Sequence, residues 1–244
     1  ENLSPERQDV IKNLEHISET FDAVVNLAAN IPYGQMDTMT PELFEANSIL
    51  PYRLVRQFPS AHHVYASSVS VYGPNEPHPI DENARTKTVN AYGASKLAGE
   101  CFVRTSEKYT VLRFSSLYGP GMTTKTFLPR LITTALKGEP LTIFGTGERT
   151  QDYLHVRDGA RMIMSSIEKR AYGVYNAVNG LPVSNLRLAK MIEEMIPKTS
   201  IVFSGTDSTP SRSYSAKKLH TALGIQAAIE IQDGLQEMAA DYGL

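Results

Sequence analysis

Tyr92-Gly-Ala-Ser-Lys96 sets a phenol and an ammonium four residues apart. On a helix that spacing brings both side chains to one face. A cation beside a phenol favours the phenolate, drawing the tyrosine toward the working range of a general base. A hydroxyl that could hold a substrate oxygen beside that phenol would complete a proton-transfer site. Ser67 and Ser68, at the end of the preceding predicted strand, are the candidates. With 12 tyrosines in the chain, the Tyr-x-x-x-Lys spacing alone arises often by chance and gains weight only from context.

These residues need a frame. Ser4-Pro5-Glu6 predicts a helix start, with Ser4 as N-cap and Pro5 at the first helical position. Val10, Ile11, Leu14 and Ile17 then follow at helical spacing. The apolar run 22–29 predicts a short strand buried on both faces. A helix over Pro41–Gln57 and a second buried strand over His63–Ser67 come next. A loop rich in Pro, Asn and Glu leads to a helix over Ala91–Ser106, capped by Asn90, and a strand over Thr110–Phe114. Buried strands alternating with helices predict an α/β fold with a doubly wound parallel sheet.

Beyond Tyr118-Gly-Pro-Gly121 the character changes. Short strands over 141–144, 174–176 and 201–203 mix with helices near Asn185–Ile196, capped by Ser184, and Ala216–Leu223, capped by Ser215 and ended by Gly224. This pattern predicts a smaller mixed α/β lobe over the carboxyl ends of the sheet, where such folds bind ligands.

Composition narrows the functional classes. The 244 residues suffice for one large or two small domains, and 41% hydrophobic with 20% charged residues is ordinary for a globular protein. A net charge of -2 with interspersed signs argues against nucleic acid as a partner. Cys101 is the single cysteine, which fits a reducing compartment and offers no zinc-ligand cluster. No run is long and apolar enough for a membrane span, and the acidic, polar segment Glu1 to Lys12 is no signal peptide. A soluble, cytoplasmic protein is expected.

Five segments, in order, extend the Tyr-Lys motif: Val24-Val-Asn-Leu-Ala-Ala29, Val64-Tyr-Ala-Ser-Ser-Val-Ser-Val-Tyr-Gly73, Tyr92-Gly-Ala-Ser-Lys-Leu-Ala-Gly-Glu100, Leu112-Arg-Phe-Ser-Ser-Leu-Tyr-Gly-Pro120 and Ile143-Phe-Gly-Thr-Gly-Glu-Arg-Thr-Gln-Asp-Tyr153. With Arg212-Ser-Tyr-Ser-Ala-Lys-Lys-Leu219, they resemble the extended branch of the short-chain dehydrogenase/reductase superfamily, the group of nucleotide-sugar epimerases, dehydratases and reductases. The resemblance covers essentially the whole chain. It implies a partial Rossmann-like dinucleotide-binding domain over 1–120 and about 145–180, and a substrate-binding lobe over about 121–144 and 181–244.

The same resemblance implies that Tyr92 is the catalytic acid or base. Lys96 would lower its pKa and hold the nicotinamide ribose of NAD or NADP. Ser68 would bind the reacting oxygen, with Ser67 the second candidate and also near the cofactor. Ala28, Ala29, Asn47 and Phe114 match cofactor-lining positions. A solvated or helix-bonding amide is an equal reading of Asn47. A homodimer packing the helices around Asn47 and Tyr92 is the implied assembly.

The sequence departs from the family in three places. The strand, Gly-rich turn and helix that cradle the cofactor pyrophosphate do not occur, so about fifty residues are expected to precede Glu1 in the working protein. Without them the run 23–29 would lie near a raw sheet edge. Ser116 and Gln151 stand where nucleotide-sugar members usually carry Asn and Arg to hold the substrate diphosphate. Arg149, on the same strand face, and Arg212 are the compensating candidates. Val69 and Ser70 replace the Asp-Glu pair of 4,6-dehydratases, which argues against dehydration.

Epimerisation or ketone reduction of a nucleotide-linked sugar is therefore the expected activity. An oxidoreductase of a small non-nucleotide alcohol or ketone, and a truncated non-catalytic form of the fold, are the alternatives.

Overall fold

The computed structural model describes residues 14–243. The helix expected from Ser4, with Val10 and Ile11, lies outside them. The chain divides into two compact units.

The first unit comprises the chain up to Gly73, Arg85–Arg113 and Ile163–Tyr175. Its sheet has the order β1 (Ala23–Asn26), β2 (His62–Ser68), β3 (Tyr109–Phe114), β8 (Gly173–Ala177). The first two strands run parallel, with Val25 opposite Val64. The strand over 174–176, read from sequence among the lobe's short strands, is the fourth member of this sheet.

β1 corrects the expectation of a strand buried on both faces. It is an edge strand, hydrogen-bonded only to β2 among the described residues, and Val25 and Leu27 are 38% and 59% exposed. An apolar run marks a strand, but cover on each face is a tertiary property. β2 is the buried counterpart, with Val64 and Tyr65 at 1% and 0%.

Between them lies a long helical run. Thr40 caps α1 (Pro41–Phe44) by accepting from Leu43 N at 3.2 Å, and Pro41 opens it. A π-helical turn over Glu45–Ile49 leads into α2 (Leu50–Gln57). Pro51 has no N–H for the carbonyl of Asn47 four residues back, and the Tyr65 hydroxyl donates to that carbonyl at 2.7 Å. A buried acceptor left by proline is thus satisfied from β2.

α3 (Ala91–Val103) begins as expected, with Asn90 Oδ1 accepting from Gly93 N at 2.7 Å. Its glycines allow close approach. A Cβ on Gly99 would lie 2.2 Å from Asn47 O, and one on Gly93 would lie 2.4 Å from Ser70 O. The first seats α3 against the π-helical turn and the Tyr65 hydroxyl of β2, and the second against the 3-10 turn Val69–Val71 that follows β2. Either substitution would force backbone apart.

The second unit comprises Pro74–Ala84, Phe114–Met162 and Asn176–Leu244. The boundary expected near residue 120 falls after Arg113, and residues 74–84 and 145–162 group with the second unit. The chain leaves the main sheet just after β3: β4 (Ser116–Tyr118) pairs in parallel with β7 (Tyr153–His155) instead. β7 runs directly into α5 (Val156–Glu168).

Two further ladders join β5 (Leu141–Phe144) to β10 (Ile201–Ser204) in parallel, and β6 (Thr150–Gln151) to β9 (Val183–Ser184) antiparallel. The core gathers Leu128, Leu131 and Ile132 of α4 (Phe127–Leu136), Leu188 and Ile192 of α6 (Asn185–Met195), and Leu235 and Met238 of α8 (Ile231–Asp241). Each such side chain, taken from water, stabilises the fold by about 1.5–3 kcal/mol.

Ser184 caps α6 by accepting from Arg187 N, as expected. α7 (Lys217–Leu223) is instead capped at Ala216, although Ser215 Oγ accepts from Lys217 N at 3.4 Å, and it ends at Gly224 in the left-handed region. Among the described residues no helix is long and apolar enough to cross a membrane.

Candidate active site

Successive residues of a strand point to opposite faces, and the end of β2 divides two serines that way. The Ser67 hydroxyl donates to Glu100 Oε1 at 2.6 Å. Ser68 faces the other side. Its Oγ lies 3.1 Å from Ser70 Oγ, accepts from Ser70 N at 3.1 Å, and stands close enough to the Tyr92 phenol to oppose the rise of its pKa. Of the two hydroxyls, Ser68 meets the tyrosine.

Tyr92 and Lys96 stand one turn apart on the buried face of α3. Burial pushes the phenol up to about 12, and the nearby Ser68 hydroxyl opposes that rise. Burial pushes the Lys96 ammonium down to about 8, against the charge of Glu100. Lys96 Nζ donates to Ala66 O at 2.7 Å and lies 4.9 Å from the Tyr65 ring centroid. Desolvation dominates the phenol, and the ammonium is tethered to a backbone carbonyl.

Asn47 is fully buried. Its Nδ2 donates to Asn30 O at 2.9 Å and to Ser95 Oγ at 3.0 Å, while its Oδ1 accepts from Asn30 N at 3.0 Å. The amide fastens the loop after β1 to α3 and has no free hydrogen-bonding edge on that loop. Ala28 and Ala29 lie exposed in the loop, with Ala28 N donating to Asn26 Oδ1 at 3.1 Å. The buried Nδ2 of Asn26 has no partner among the described residues.

A nicotinamide cofactor fits this set at its ribose end. A buried ammonium and phenol sit one turn apart, and the adjoining loop offers open backbone beside an unsatisfied amide donor.

Sequence reasoning missed what lies beneath. Arg113 forks Glu100 through Nε at 2.9 Å and Nη2 at 2.7 Å, and its Nη1 donates to the Tyr72 hydroxyl at 3.0 Å. The ion pair is 3% and 0% exposed. Two charges inside apolar runs, Arg113 between Leu112 and Phe114 and Glu100 one turn past Lys96, were the signal.

The remaining candidates belong to the second unit. Phe114 is buried at the end of β3, against Gly159. Arg149 Nη2 donates to Gln151 Oε1 at 3.0 Å, and Gln151 Nε2 donates to Ser116 Oγ, so three candidates form one polar chain. Arg149 Nε is buried without a partner. Thr150 N donates to Ser211 Oγ at 2.9 Å, fastening the segment of Arg212 to β6, and Arg212 hydrogen-bonds Tyr214. Next to Gln151, the buried Asp152 accepts from the N–H groups of Asn179 and Gly180, bonds that offset the rise its burial causes.

Residues 6–178 match the sequence profile of the NAD dependent epimerase/dehydratase family. The chain belongs to that family. It has the family's Rossmann-like α/β fold with a parallel sheet.

Among its relatives, the dTDP-D-glucose 4,6-dehydratase of Bos taurus is 28% identical over 195 residues, covering 75% of this chain and 54% of the relative. The chain thus spans about half the length of the curated relatives it matches first. The solved structure of MoeE5 with UDP-glucose and NAD is 28% identical with a TM-score of 0.80, covering 96% of this chain and 82% of that one. A UDP-glucuronic acid 4-epimerase from Bacillus cereus, solved with UDP-glucuronic acid and NAD, is 25% identical with a TM-score of 0.81, covering 96% and 77%.

Proposed function

We propose that the protein is an NAD-dependent epimerase or ketoreductase acting on a hydroxyl or ketone of a nucleotide-linked sugar. The observation that carries this reading is the buried contact of Ser68 with Tyr92, one turn before Lys96. When bound, a nicotinamide supplies hydride acceptance and donation.

The chain's own residues manage the proton. Ser68 holds the substrate oxygen beside the Tyr92 phenol. Tyr92 accepts the proton of a sugar hydroxyl in one direction and returns it in the other. Lys96 holds the nicotinamide ribose and supplies positive charge near the phenol. With the phenol raised to about 12, the group rests as the acid, and it acts as a base once positive charge gathers beside it. In the first unit, Ser67, Ala28, Ala29 and Asn47 are the residues assigned to the cofactor, with Asn47 acting through the backbone of Asn30; Phe114 is the cofactor-lining candidate of the second unit.

NAD as the cofactor rests on the relatives solved with it, and NADP is the form the binding assay must exclude. Dehydration is disfavoured because Val69 and Ser70 follow Ser68, and neither carries a carboxyl. Ser116, Arg149, Gln151 and Arg212 are the substrate-binding group. A homodimer formed on the exposed face of α2 and α3, where Tyr52 contacts Phe102, and a cytoplasmic location complete the reading.

In the full-length protein, Tyr92→Phe should cut turnover by about 10²–10⁴-fold with cofactor affinity unchanged. Near-normal turnover would sink the assignment. A second reading, a small non-nucleotide alcohol or ketone as substrate, is favoured by one observation: Gln151 and Ser116 bond one another without a guanidinium at either position. Thermal shifts with uridine and thymidine diphosphates separate the two, since only the first reading expects stabilisation.

A further inference from the structure

The first unit buries two cations within one cluster. Lys96 is 2% exposed and Arg113 3%. Glu100 lies one helical turn beyond Lys96 on the same face of α3, fully buried, with both carboxylate oxygens forked by Arg113 and one of them also accepting from Ser67.

An arginine does not lose its proton inside a protein, whereas a buried lysine does so readily. Lys96 has no ion pair among the described residues, so the carboxylate one turn further along its own buried helix face, that of Glu100, is the charge that bears on whether the lysine remains an ion. We propose that Glu100 is a positioning residue: its carboxylate is the counter-charge that lets a charged Lys96 share a buried cluster with Arg113. The same carboxylate holds the Ser67 hydroxyl, and so fixes the strand position next to Ser68.

The groups around the ammonium are few. Glu100 and Tyr92 come from its own helix, and the Tyr65 ring and Ala66 carbonyl from β2. Arg113 reaches it from β3 through Glu100. Tyr65 and Tyr92 are both driven toward the neutral phenol by burial, so neither replaces the carboxylate as counter-ion. Glu100 accordingly raises Lys96 against the desolvation that lowers it.

The inference rests on the reading of Lys96 as the functional cation, but its test does not depend on turnover. The full-length protein is labelled with 13C at lysine Cε, and the Lys96 resonance is identified by its loss in Lys96→Met. Its titration is then followed by NMR.

Glu100→Gln should move the Lys96 midpoint about one pH unit or more to the acid side, because Arg113 then stands uncompensated. Glu100→Asp, which keeps the charge, should leave it near the wild-type midpoint. The double variant Glu100→Gln, Arg113→Gln carries no unpaired ion and is the one to read if Glu100→Gln does not fold. It should titrate between the wild type and the single variant. A Lys96 midpoint in the double variant equal to the wild type would overturn the proposal. A separate turnover assay on Lys96→Met tests the underlying reading: normal turnover there, with the NMR order intact, would leave the electrostatic inference standing and remove Lys96 from the chemistry.

Discussion

The first unit and the second each hold a polar cluster, and the two are built on opposite terms. Around Tyr92, the charges of Lys96, Glu100 and Arg113 are buried, Arg113 forks Glu100, and the Lys96 ammonium donates to the Ala66 carbonyl. Around Gln151, the side chains of Arg149, Gln151 and Ser116 are half-buried, joined in a chain, and leave one arginine nitrogen unsatisfied. A buried ionic cluster leaves little freedom, because removing one member strands another. A half-exposed amide and hydroxyl can be exchanged at small cost. Chemistry common to a family belongs in the first kind of setting and choice of substrate in the second.

The sharpest way to break that contrast is to remove one arginine from each cluster. Arg113→Ala should destabilise the protein by about 3–5 kcal/mol, since Glu100 is left buried and unpaired. Arg149→Ala should cost about 1 kcal/mol or less. Urea unfolding midpoints compare them directly, and similar losses would dissolve the distinction.

Acid gives a smaller effect. His62 and His63 are depressed chiefly by burial, with Lys108 and the second imidazole adding to it at His62. A folded-state pKa below the unfolded value of about 6.5 means these rings contribute stability above that pH and lose it as pH falls toward the folded value. His155 is lowered too, but Glu237 and Asp158 oppose the shift. Amide protection factors, which remove the intrinsic slowing of exchange in acid, should therefore fall more along β2 than along β7 between pH 7.5 and 5.5. An equal fall would count against the electrostatic difference.

Smallest is Gln151→Arg. A guanidinium there should tighten binding of a nucleoside diphosphate about three- to tenfold, as measured by calorimetry. No change would favour the non-nucleotide substrate.

What the sequence disclosed follows the range of the forces involved. Asn90 and Ser184 were legible as caps because a cap is a contact over three residues. Tyr92 and Lys96 were legible as a pair because a helix sets their spacing. The exposure of Val25 on β1 was not legible in the apolar run itself, which reads as buried on both faces, and only the raw sheet edge expected for 23–29 foretold it. The end of β3 at Phe114 was legible, but the partner of the next strand was not: β4 pairs with β7, and pairing of 116 with 153 leaves no local mark. The direction of the Lys96 ammonium was also beyond reach. A carbonyl on β2, thirty residues away, decides it.

Pro51 leaves the helix before β2 one rung short, and the hydroxyl that fills it belongs to Tyr65. The same spot admits α3 only because Gly99 has no side chain. Three segments distant in the chain thus meet at a single carbonyl oxygen. A helix with an unbonded rung is a poor structure alone, and the strand and α3 lack their seating without it. A change that breaks this meeting point, such as Tyr65→Phe, is therefore expected to lower amide protection in all three segments at once.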